Sequence, residues 1–299
     1  MATTESVPKQ FKITDYKGKA DPDWCPGCGD FGVLASLKAA LAELNIPTHQ
    51  VVTISGIGCS SNLPGYIDTY GMHTLHGRAL AVATGVKMAN HELHVIITGG
   101  DGDGFGIGGN HFMHTMRRNV DLTYIAMDNQ IYGLTTGQVS PTSRLGMKTK
   151  STPFGSVERP VNPILLALSA GATYVARGFS GEPKHLTELI KKGLQHTGFS
   201  FIDVFSPCVT YNHDNTYPWF RDRVKKLELD SSYDATDLNA AMQRAQLWGD
   251  EIPIGVFYED SSMPALHQLE PILDEGGPLA HRDVRVPADI ARQFVEELM

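Results

Sequence analysis

The sequence predicts an α/β protein built on a doubly wound, mostly parallel sheet. Three observations indicate this fold class. Short apolar segments alternate regularly with segments of helical periodicity, a loop with seven glycines joins one apolar segment to the next helix, and no internal repeat or low-complexity tract interrupts this order. We expect an α/β domain over residues 1–230 and a C-terminal extension over residues 231–299 that packs on the core or on a partner subunit.

The predicted elements follow one another in chain order. Asp30 is a good N-cap for a first helix, whose leucines recur at helical spacing. Strands are predicted at residues 49–54, from residue 95, and at residues 122–128, 173–176, 199–205 and 252–258. Further helices are predicted at residues 76–90, directly after the glycine-rich loop, at residues 163–170, 182–196 and 237–248, and at the C-terminal end. Residues 135–160 form a long loop, a type of segment that is usually functional.

Composition restricts the class of protein. The 299 residues are 41% hydrophobic, which supports a sizeable core, and the formal net charge of −8 argues against a nucleic acid partner, because phosphate binding needs a basic surface. No apolar run approaches the roughly 18 residues of a membrane span, and the N-terminal segment lacks the apolar region of a secretion signal. We therefore expect a soluble, cytoplasmic protein without a membrane partner.

The glycine-rich loop predicts a site for a diphosphate and a metal ion. Dense glycines allow close backbone approach, and a helix that begins directly after them offers N–H groups to an anion. Asp101 lies inside the glycine run, where its carboxylate would repel a phosphate unless a cation such as Mg²⁺ lay between them. Asn129 follows the next strand and is a second candidate ligand, and the carbonyl of Ile131 is a third. The alternative is a glycine-rich turn with an unrelated asparagine.

Four cysteines form a second group of candidate ligands. Cys25 and Cys28 stand in a CPGC motif, Cys59 follows the first strand, and Cys208 follows the last core strand. Cys59 and Cys208 can reach the sheet edge that carries the glycine-rich loop, and four thiolates suit either Zn²⁺ or a [4Fe–4S] cluster. The cysteines could instead form a redox dithiol or be buried and inert. The position favours the cluster, because an electron acceptor must lie close to the carbon that it oxidises.

Five motifs together resemble one enzyme family. The segments WCPGCGDFG, GIGCSS, HGRALAVATGVKMAN, GGDGDGFGIGGN with its continuation to residue 143, and SPCVTYN look like the β subunit of the 2-oxoacid:ferredoxin oxidoreductases. They are most similar to the two-subunit 2-oxoglutarate type, and the match extends over about residues 20–220. The GDG motif and the later asparagine resemble the thiamine diphosphate (TPP) and Mg²⁺ motif. Asp128 departs from this pattern, in which the closing pair begins with asparagine.

The resemblance implies a TPP-binding fold with specific ligands. It implies a [4Fe–4S] cluster on Cys25, Cys28, Cys59 and Cys208, and Mg²⁺ on Asp101, Asn129 and the carbonyl of Ile131. It places TPP against the main chain of Ile57, Gly58, Cys59, Ser60, Gly102, Asp103, Gly133 and Leu134. An α subunit would supply the pyrimidine half of the cofactor site, so the chain would be inactive alone and would assemble as (αβ)₂.

The implied reaction joins 2-oxoglutarate, coenzyme A and two oxidised ferredoxins to give succinyl-CoA, CO₂ and two reduced ferredoxins. A subunit acting on pyruvate or on a broad range of 2-oxoacids is the first alternative. A TPP-dependent decarboxylase subunit with a structural zinc is the second, and a non-catalytic electron-transfer protein is the third.

Further polar residues near these motifs are candidates for direct roles. His76 is the candidate catalytic residue: it can hydrogen-bond the diphosphate or the substrate, with Arg78 orienting it, and a helix-capping or core role is the alternative. Thr135 and Thr136 are candidates for contact with the substrate side chain. Arg144 can meet a distal carboxylate or coenzyme A phosphates, although a solvated loop charge is the simpler interpretation.

Overall fold

The computed structural model describes residues 9–283 and 285–299. Within these residues one sheet contains eight strands in the order β2-β1-β3-β4-β6-β5-β8-β7. All neighbouring pairs are parallel except β5 and β8, so the predicted mostly parallel sheet is confirmed. The strands are β1 Val51–Ser55, β2 Tyr70–His73, β3 His94–Gly100, β4 Leu122–Asp128, β5 Tyr174–Phe179, β6 Phe199–Phe205, β7 Val224–Lys226 and β8 Ile252–Glu259.

Helices cover both faces of the sheet. The described α-helices are α1 Asp30–Glu43, α2 Ala79–Ala89, α3 Gly109–Arg117, α4 Pro163–Ser169, α5 Pro183–Gln195, α6 Tyr217–Arg223, α7 Leu238–Ala245, α8 Leu266–Leu269, α9 Pro271–Asp274 and α10 Ala288–Glu297. Side chains of α1 and α5 belong to one buried apolar cluster, and those of α2, α3, α4 and α7 belong to another. The predicted doubly wound architecture is therefore confirmed.

The central strands are buried on both faces. Successive side chains of a strand point to opposite faces, and Ile96 and Ile125 accordingly belong to the cluster of α1 and α5, whereas Ile97 and Tyr124 belong to the other cluster. Such strands read as continuous apolar runs, which is typical of parallel sheets. This pattern made β3, β4 and β6 predictable with nearly correct bounds.

Four neighbouring parallel strands end at the same edge. Strands β1, β3, β4 and β6 are adjacent in the sheet. The segments that follow their carboxyl ends carry Cys59, Asp101, Asn129 and Cys208. Open α/β sheets bind ligands outside the carboxyl ends of their strands. The order of the strands thus brings predicted site residues from distant parts of the chain to one edge of the sheet.

One predicted N-cap and one predicted helix start are wrong. Gly29, not Asp30, is the N-cap of α1, and Asp30 is its buried first residue, where the carboxylate accepts a hydrogen bond of 2.6 Å from Ser206 Oγ. Helix α2 begins at Ala79 and not at residue 76. Gly77 before it has φ +71°, a left-handed conformation that ends the preceding turn and prevents an earlier helix start.

Five short helices and strands were not predicted: β2, α6, β7, α8 and α9. Strand β2 pairs with β1 at the edge of the sheet and its side chains are all exposed, so it lacks an apolar pattern. The segment that begins at Tyr217 contains α6 and β7, which follow one another directly, and β7 is only three residues long. Polar sequences of this length carry little periodic signal.

The C-terminal part of the chain contributes to the sheet itself. Strand β8 lies between β5 and β7, so the predicted extension at residues 231–299 supplies one strand of the sheet. The domain boundary at residue 230 stays a prediction. Residues 1–8 of the predicted N-terminal domain and residue 284 lie outside the described residues. No helix in the described residues combines the length and the apolar character needed to cross a membrane.

Candidate functional site

A cavity of ≈ 220 Å³ lies at the carboxyl edge of β1, β3 and β4. Every predicted TPP contact, the three predicted magnesium ligands and His76 line it. The lining residues are Ile57, Gly58, Cys59, Ser60, His76, Gly100, Asp101, Gly102, Asp103, Asn129, Ile131, Tyr132, Gly133, Leu134 and Thr135. A larger cavity of ≈ 600 Å³ at the opposite, amino-terminal edge contains none of them.

Asp103 holds three segments of this cavity together. Its Oδ1 accepts hydrogen bonds from the backbone N–H groups of Ile57 at 2.9 Å and Gly77 at 2.7 Å, and it lies 2.8 Å from Nδ1 of His76. A side chain at Gly56 would place its Cβ 2.1 Å from Asp103 Oδ2, so a glycine is needed there. The loop after β1, the turn before α2 and the glycine-rich segment are thereby fixed to one carboxylate.

This arrangement also changes the interpretation of His76. The predicted orienting role of Arg78 is wrong, because the guanidinium Nη1 of Arg78 lies 3.4 Å from the carbonyl of Gly77 and the carboxylate of Asp103 contacts the imidazole instead. A carboxylate partner on one ring nitrogen fixes the orientation of an imidazole and its tautomer. The other ring nitrogen of His76 then remains to interact with a ligand.

Asp101 is a deeply buried carboxylate at the start of the glycine-rich turn Gly102–Ile107. It is only 2% exposed, and its Oδ2 accepts hydrogen bonds from Ser140 Oγ and, at 2.6 Å, from Thr142 Oγ1. Burial raises the pKa of Asp101 to about 6, although these two hydroxyl donors act in the opposite direction. A divalent cation would provide the positive charge that such a buried carboxylate needs.

The hydroxyl groups around Asp101 were missed by the sequence reasoning. They belong to the long loop at residues 135–160, which folds back over the carboxyl edge of the sheet. Thr142 Oγ1 also lies 2.8 Å from Asp128 Oδ1, and Ser143 Oγ donates to the carbonyl of Gln130 at 2.6 Å. The abundance of serine and threonine in this loop was the available signal, but it does not specify which hydroxyl reaches which carboxylate.

The turn after β4 presents the other two predicted metal ligands. Asn129 Oδ1 accepts a hydrogen bond of 3.0 Å from the backbone N–H of Ile131, and Gln130 between them has φ 58°. Asn212 donates to the carbonyl of Asn129 at 2.9 Å, which anchors the turn. Carboxylate, amide and carbonyl oxygens are the ligand types that Mg²⁺ prefers, so the residues present fit this ion.

The three segments that carry the cysteines are joined by hydrogen bonds. The N–H of Cys28 donates to the carbonyl of Cys25 at 2.9 Å, and the N–H of Gly29 donates to the carbonyl of Pro207 at 3.1 Å. The indole N–H of Trp24 donates to the carbonyl of Cys59 at 2.7 Å. The predicted convergence of the CPGC motif, the loop after β1 and the loop after β6 is thus present in the structure.

The thiol groups lie close enough to influence one another. A Cβ atom at Gly133 would be 3.7 Å from Cys59 Sγ and 3.6 Å from Cys208 Sγ, so both sulfurs adjoin the cavity wall. Burial, followed by the nearby Asp30 carboxylate and the Cys208 and Cys25 thiols, raises the pKa of Cys59 to about 11. Burial and Asp30 also raise the pKa of Cys28. Free thiols in this state would stay protonated at neutral pH, and iron binding would have to displace their protons.

The sulfurs are not gathered around a single point. Among the described residues no group of three or more His, Cys, Asp and Glu side chains is arranged to hold one metal ion. All four cysteines are free of disulfide bonds, and Cys25 is the exposed one.

The remaining candidate residues, which were predicted to contact the substrate, lie in the turn after β4 and in the long loop. Thr135 lines the cavity, and Thr136 beside it has φ 77°, an uncommon conformation for a β-branched residue. Arg144 forms an exposed ion pair of 2.8 Å with Asp214, which agrees with a solvated loop charge.

Comparisons with known proteins agree with the geometry of the site. Residues 48–204 match the family model of the thiamine pyrophosphate enzyme, C-terminal TPP binding domain, and residues 208–275 match the model of the C-terminal part of the pyruvate ferredoxin oxidoreductase beta subunit. The fold and the cavity therefore define a TPP-binding domain of the α/β class.

Individual relatives narrow this class. The chain is 48% identical to subunit beta of 2-oxoacid:ferredoxin oxidoreductase 1 from Aeropyrum pernix over 82% of this chain and 80% of that protein. It is 42% identical to the 2-oxoglutarate synthase subunit KorB of Methanocaldococcus jannaschii over 84% and 93%. A solved structure of 2-oxoglutarate:ferredoxin oxidoreductase from Magnetococcus marinus, with 2-oxoglutarate, coenzyme A and succinyl-CoA bound, is 46% identical with a TM-score of 0.89 and covers 96% of both chains. The chain belongs to the family of 2-oxoacid:ferredoxin oxidoreductase β subunits.

Proposed function

We propose that the chain is the β subunit of a 2-oxoglutarate:ferredoxin oxidoreductase, which converts 2-oxoglutarate and coenzyme A to succinyl-CoA and CO₂ and reduces two ferredoxins. The observation that carries this proposal is the convergence of Asp101, Asn129 and Cys59 on one cavity at the carboxyl edge of the sheet. The names of several relatives and of the Magnetococcus marinus structure support 2-oxoglutarate as the substrate. Pyruvate or a broader set of 2-oxoacids is the alternative, which a comparison of substrates separates.

In this proposal Asp101, Asn129 and the carbonyl of Ile131 hold Mg²⁺, which in turn binds the diphosphate. Ser140 and Thr142 orient the Asp101 carboxylate by donating to its Oδ2. The buried position of Asp101 supports this role, because a carboxylate in such a place is stable as an anion only with a compensating charge.

The main chain of Ile57 to Ser60, Gly102, Asp103, Gly133 and Leu134 would hold TPP. A Cβ atom at Gly102 would lie 2.1 Å from Tyr132 Cε1, so the glycine allows this turn to pack closely against the Tyr132 ring in the cavity wall. Bound TPP would supply the electron sink that decarboxylation of a 2-oxoacid needs, and a neighbouring cluster would accept the released electrons singly. His76, held by Asp103, would hydrogen-bond the diphosphate or the substrate through its second ring nitrogen.

Cys25, Cys28, Cys59 and Cys208 would hold a [4Fe–4S] cluster. Their free thiols, the hydrogen bonds that join their segments and the closeness of two sulfurs to the cavity wall at Gly133 support this assignment. Gly58 and Ser60 beside Cys59 provide polar groups that can tune the potential of such a cluster.

A partner subunit would complete the site. As a β subunit in its family, the chain implies an α subunit, and we propose that it carries the pyrimidine half of the TPP site within an (αβ)₂ assembly. Large apolar side chains are exposed around the cavity, among them Ile57, Leu75, Ile107 and Leu134. Exposed apolar surface of this kind beside a ligand cavity is typical of a protein contact. Ferredoxin would accept the electrons from the assembled complex.

A binding and turnover experiment on the αβ complex tests the proposal. Asn129→Ala should raise the dissociation constant of TPP at limiting Mg²⁺ by about 10-fold or more, because one metal ligand is lost, while Asn129→Asp keeps an oxygen ligand and should bind more tightly than the alanine variant. Ferredoxin reduction should be faster with 2-oxoglutarate than with pyruvate at equal concentrations. Equal TPP affinity in the alanine variant would contradict the metal assignment, and a preference for pyruvate would contradict the substrate.

A further inference from the structure

A second cavity of ≈ 330 Å³ adjoins the proposed metal site but takes no part in it. Thr142, which donates to Asp101, lines this cavity together with Asp128 and Gln130. The other walls come from the start of α4, from the middle of β5 and from the segments that carry Trp219 and Trp248. Its volume is at the lower end of the range for small-molecule pockets.

Arg177 provides a buried cation in the wall of this cavity. It is 2% exposed and stands directly opposite Asp203 in the pairing of β5 and β6, with its Nε 2.9 Å from Asp203 Oδ2. Its guanidinium carbon lies 5.1 Å from the ring centroid of Phe205 and 5.4 Å from that of Phe257. The charge is therefore fixed in place by one carboxylate and two aromatic rings.

The ion pair of Arg177 is incomplete. Within the described residues Nη1 of Arg177 and Oδ1 of Asp203 have no hydrogen-bond partner although both atoms are buried. A buried guanidinium and carboxylate that served stability alone would be expected to pair through two parallel hydrogen bonds, since each buried donor left without a partner is costly. Asn215, also in the cavity wall, has a buried Oδ1 without a partner as well. The unpaired donor of Arg177 in this wall points to a ligand that supplies a hydrogen-bond acceptor.

The remaining walls of the cavity favour a ligand with a flat apolar part. Phe205, Trp219 and Trp248 present aromatic surfaces, and Trp248 is 50% exposed at the opening. Aromatic side chains pack favourably against other rings in offset or edge-to-face geometry. Asp128 is the acidic side chain among the described lining residues, and its Oδ1 already contacts Thr142 and the N–H of Gln130.

We propose that this cavity is a binding site for a small aromatic carboxylate. The carboxylate accepts hydrogen bonds from the guanidinium of Arg177, whose planar donors match its geometry, and the ring lies against Trp219 and Trp248. Because the site uses none of the residues proposed to hold TPP, Mg²⁺ or the cluster, its occupancy does not depend on the proposed function. The site lies next to Thr142, so a bound ligand also contacts the wall that supports Asp101.

Calorimetric titration of the purified αβ complex with phenylacetate tests this proposal, with benzyl alcohol as the matched probe that lacks the carboxylate. Phenylacetate should bind at least about 10-fold more tightly than benzyl alcohol, because the alcohol keeps one acceptor oxygen but lacks the negative charge and the second oxygen that pair with the guanidinium. Val161→Phe, which fills the cavity, should abolish binding. Trp248→Ala should weaken it about 2- to 12-fold, and Phe154→Ala, which removes an aromatic ring that is 98% exposed and outside the cavity, should leave it unchanged.

Three outcomes would overturn the proposal. The first is no phenylacetate binding to the complex at millimolar concentration, whether the cavity is covered by the partner or unsuited to the ligand. The second is equal affinity for phenylacetate and benzyl alcohol. The third is wild-type affinity in the Val161→Phe complex, which would place the probe elsewhere. Arg177 is left intact in this design because removing it would leave Asp203 as an uncompensated buried charge.

Discussion

Thr142→Val is the change that most sharply tests how the long loop supports the proposed metal site. Valine has nearly the shape of threonine but lacks the hydroxyl that donates to Asp101 Oδ2 at 2.6 Å and lies 2.8 Å from Asp128 Oδ1. Both carboxyl groups are buried, and the isopropyl group of valine cannot donate a hydrogen bond to either of them. Asp101 would keep only the hydrogen bond from Ser140 on this oxygen.

The expected magnitude follows from the single hydrogen that the hydroxyl can donate. One hydrogen bond to a charged group is worth about 1.5–3 kcal/mol, and losing the outer partner of a metal ligand typically costs about 10–100-fold in metal affinity. We therefore expect the Mg²⁺ concentration for half-maximal TPP binding to rise about 10–100-fold in Thr142→Val. At saturating Mg²⁺ the TPP affinity should return close to the wild-type value, because the cofactor's own contacts are unchanged.

The assay is a calorimetric or fluorescence titration of the αβ complex with TPP at a series of Mg²⁺ concentrations. Thr142→Ser keeps the hydroxyl and should stay within about threefold of the wild type. Wild-type Mg²⁺ dependence in Thr142→Val would refute the positioning role, and so would an equal loss in Thr142→Ser, which would indicate that the methyl group matters instead.

Two further predictions concern buried groups. Burial raises the pKa of Asp30 from 3.8 to about 6, so the folded state binds the proton of the Asp30 carboxyl group more tightly than the unfolded chain does. The stability that this proton contributes is full below about pH 4 and is lost as the pH rises through 6. Asp30→Asn should therefore stabilise the cluster-free chain by up to about 3 kcal/mol near pH 8 and by little near pH 4 in thermal unfolding; equal effects at both pH values would contradict this. Gly102→Ala should destabilise the chain by about 1–3 kcal/mol and impair TPP binding, because the new Cβ would meet the Tyr132 ring. Gly109→Ala is the control and should be nearly neutral, because its Cβ would lie in open space. Similar losses of stability in both variants would contradict the close packing at Gly102.

The carboxyl edge of the sheet was predictable because its determinants are regular. Buried parallel strands have continuous apolar sequences, and each is followed closely by a predicted site residue. The sequence alone therefore predicts that Cys59, Asp101, Asn129 and Cys208 follow the same edge of the sheet. Parallel strands end at a common edge regardless of the distance between them in the chain.

Contacts made by loops were not predictable in the same way. The Thr142 hydroxyl reaches Asp101 across 41 positions of sequence, and Asp103 contacts Ile57 across 46. These contacts depend on how irregular backbone folds over the sheet edge, which leaves no periodic pattern. The helix start at Ala79 was missed for a related reason, since Gly77 adopts a left-handed turn that hydropathy does not reveal.

The most direct test of the account is the iron and acid-labile sulfide content of the complex purified without oxygen, together with its spectrum before and after dithionite. Cys25, Cys28, Cys59 and Cys208 should hold about four iron and four sulfide per β chain, with a broad visible absorption that dithionite bleaches, and the Cys208→Ser variant should lose most of it. A colourless complex with about one zinc per β chain would contradict the account, because the four sulfurs would then bind a structural ion and could not accept electrons.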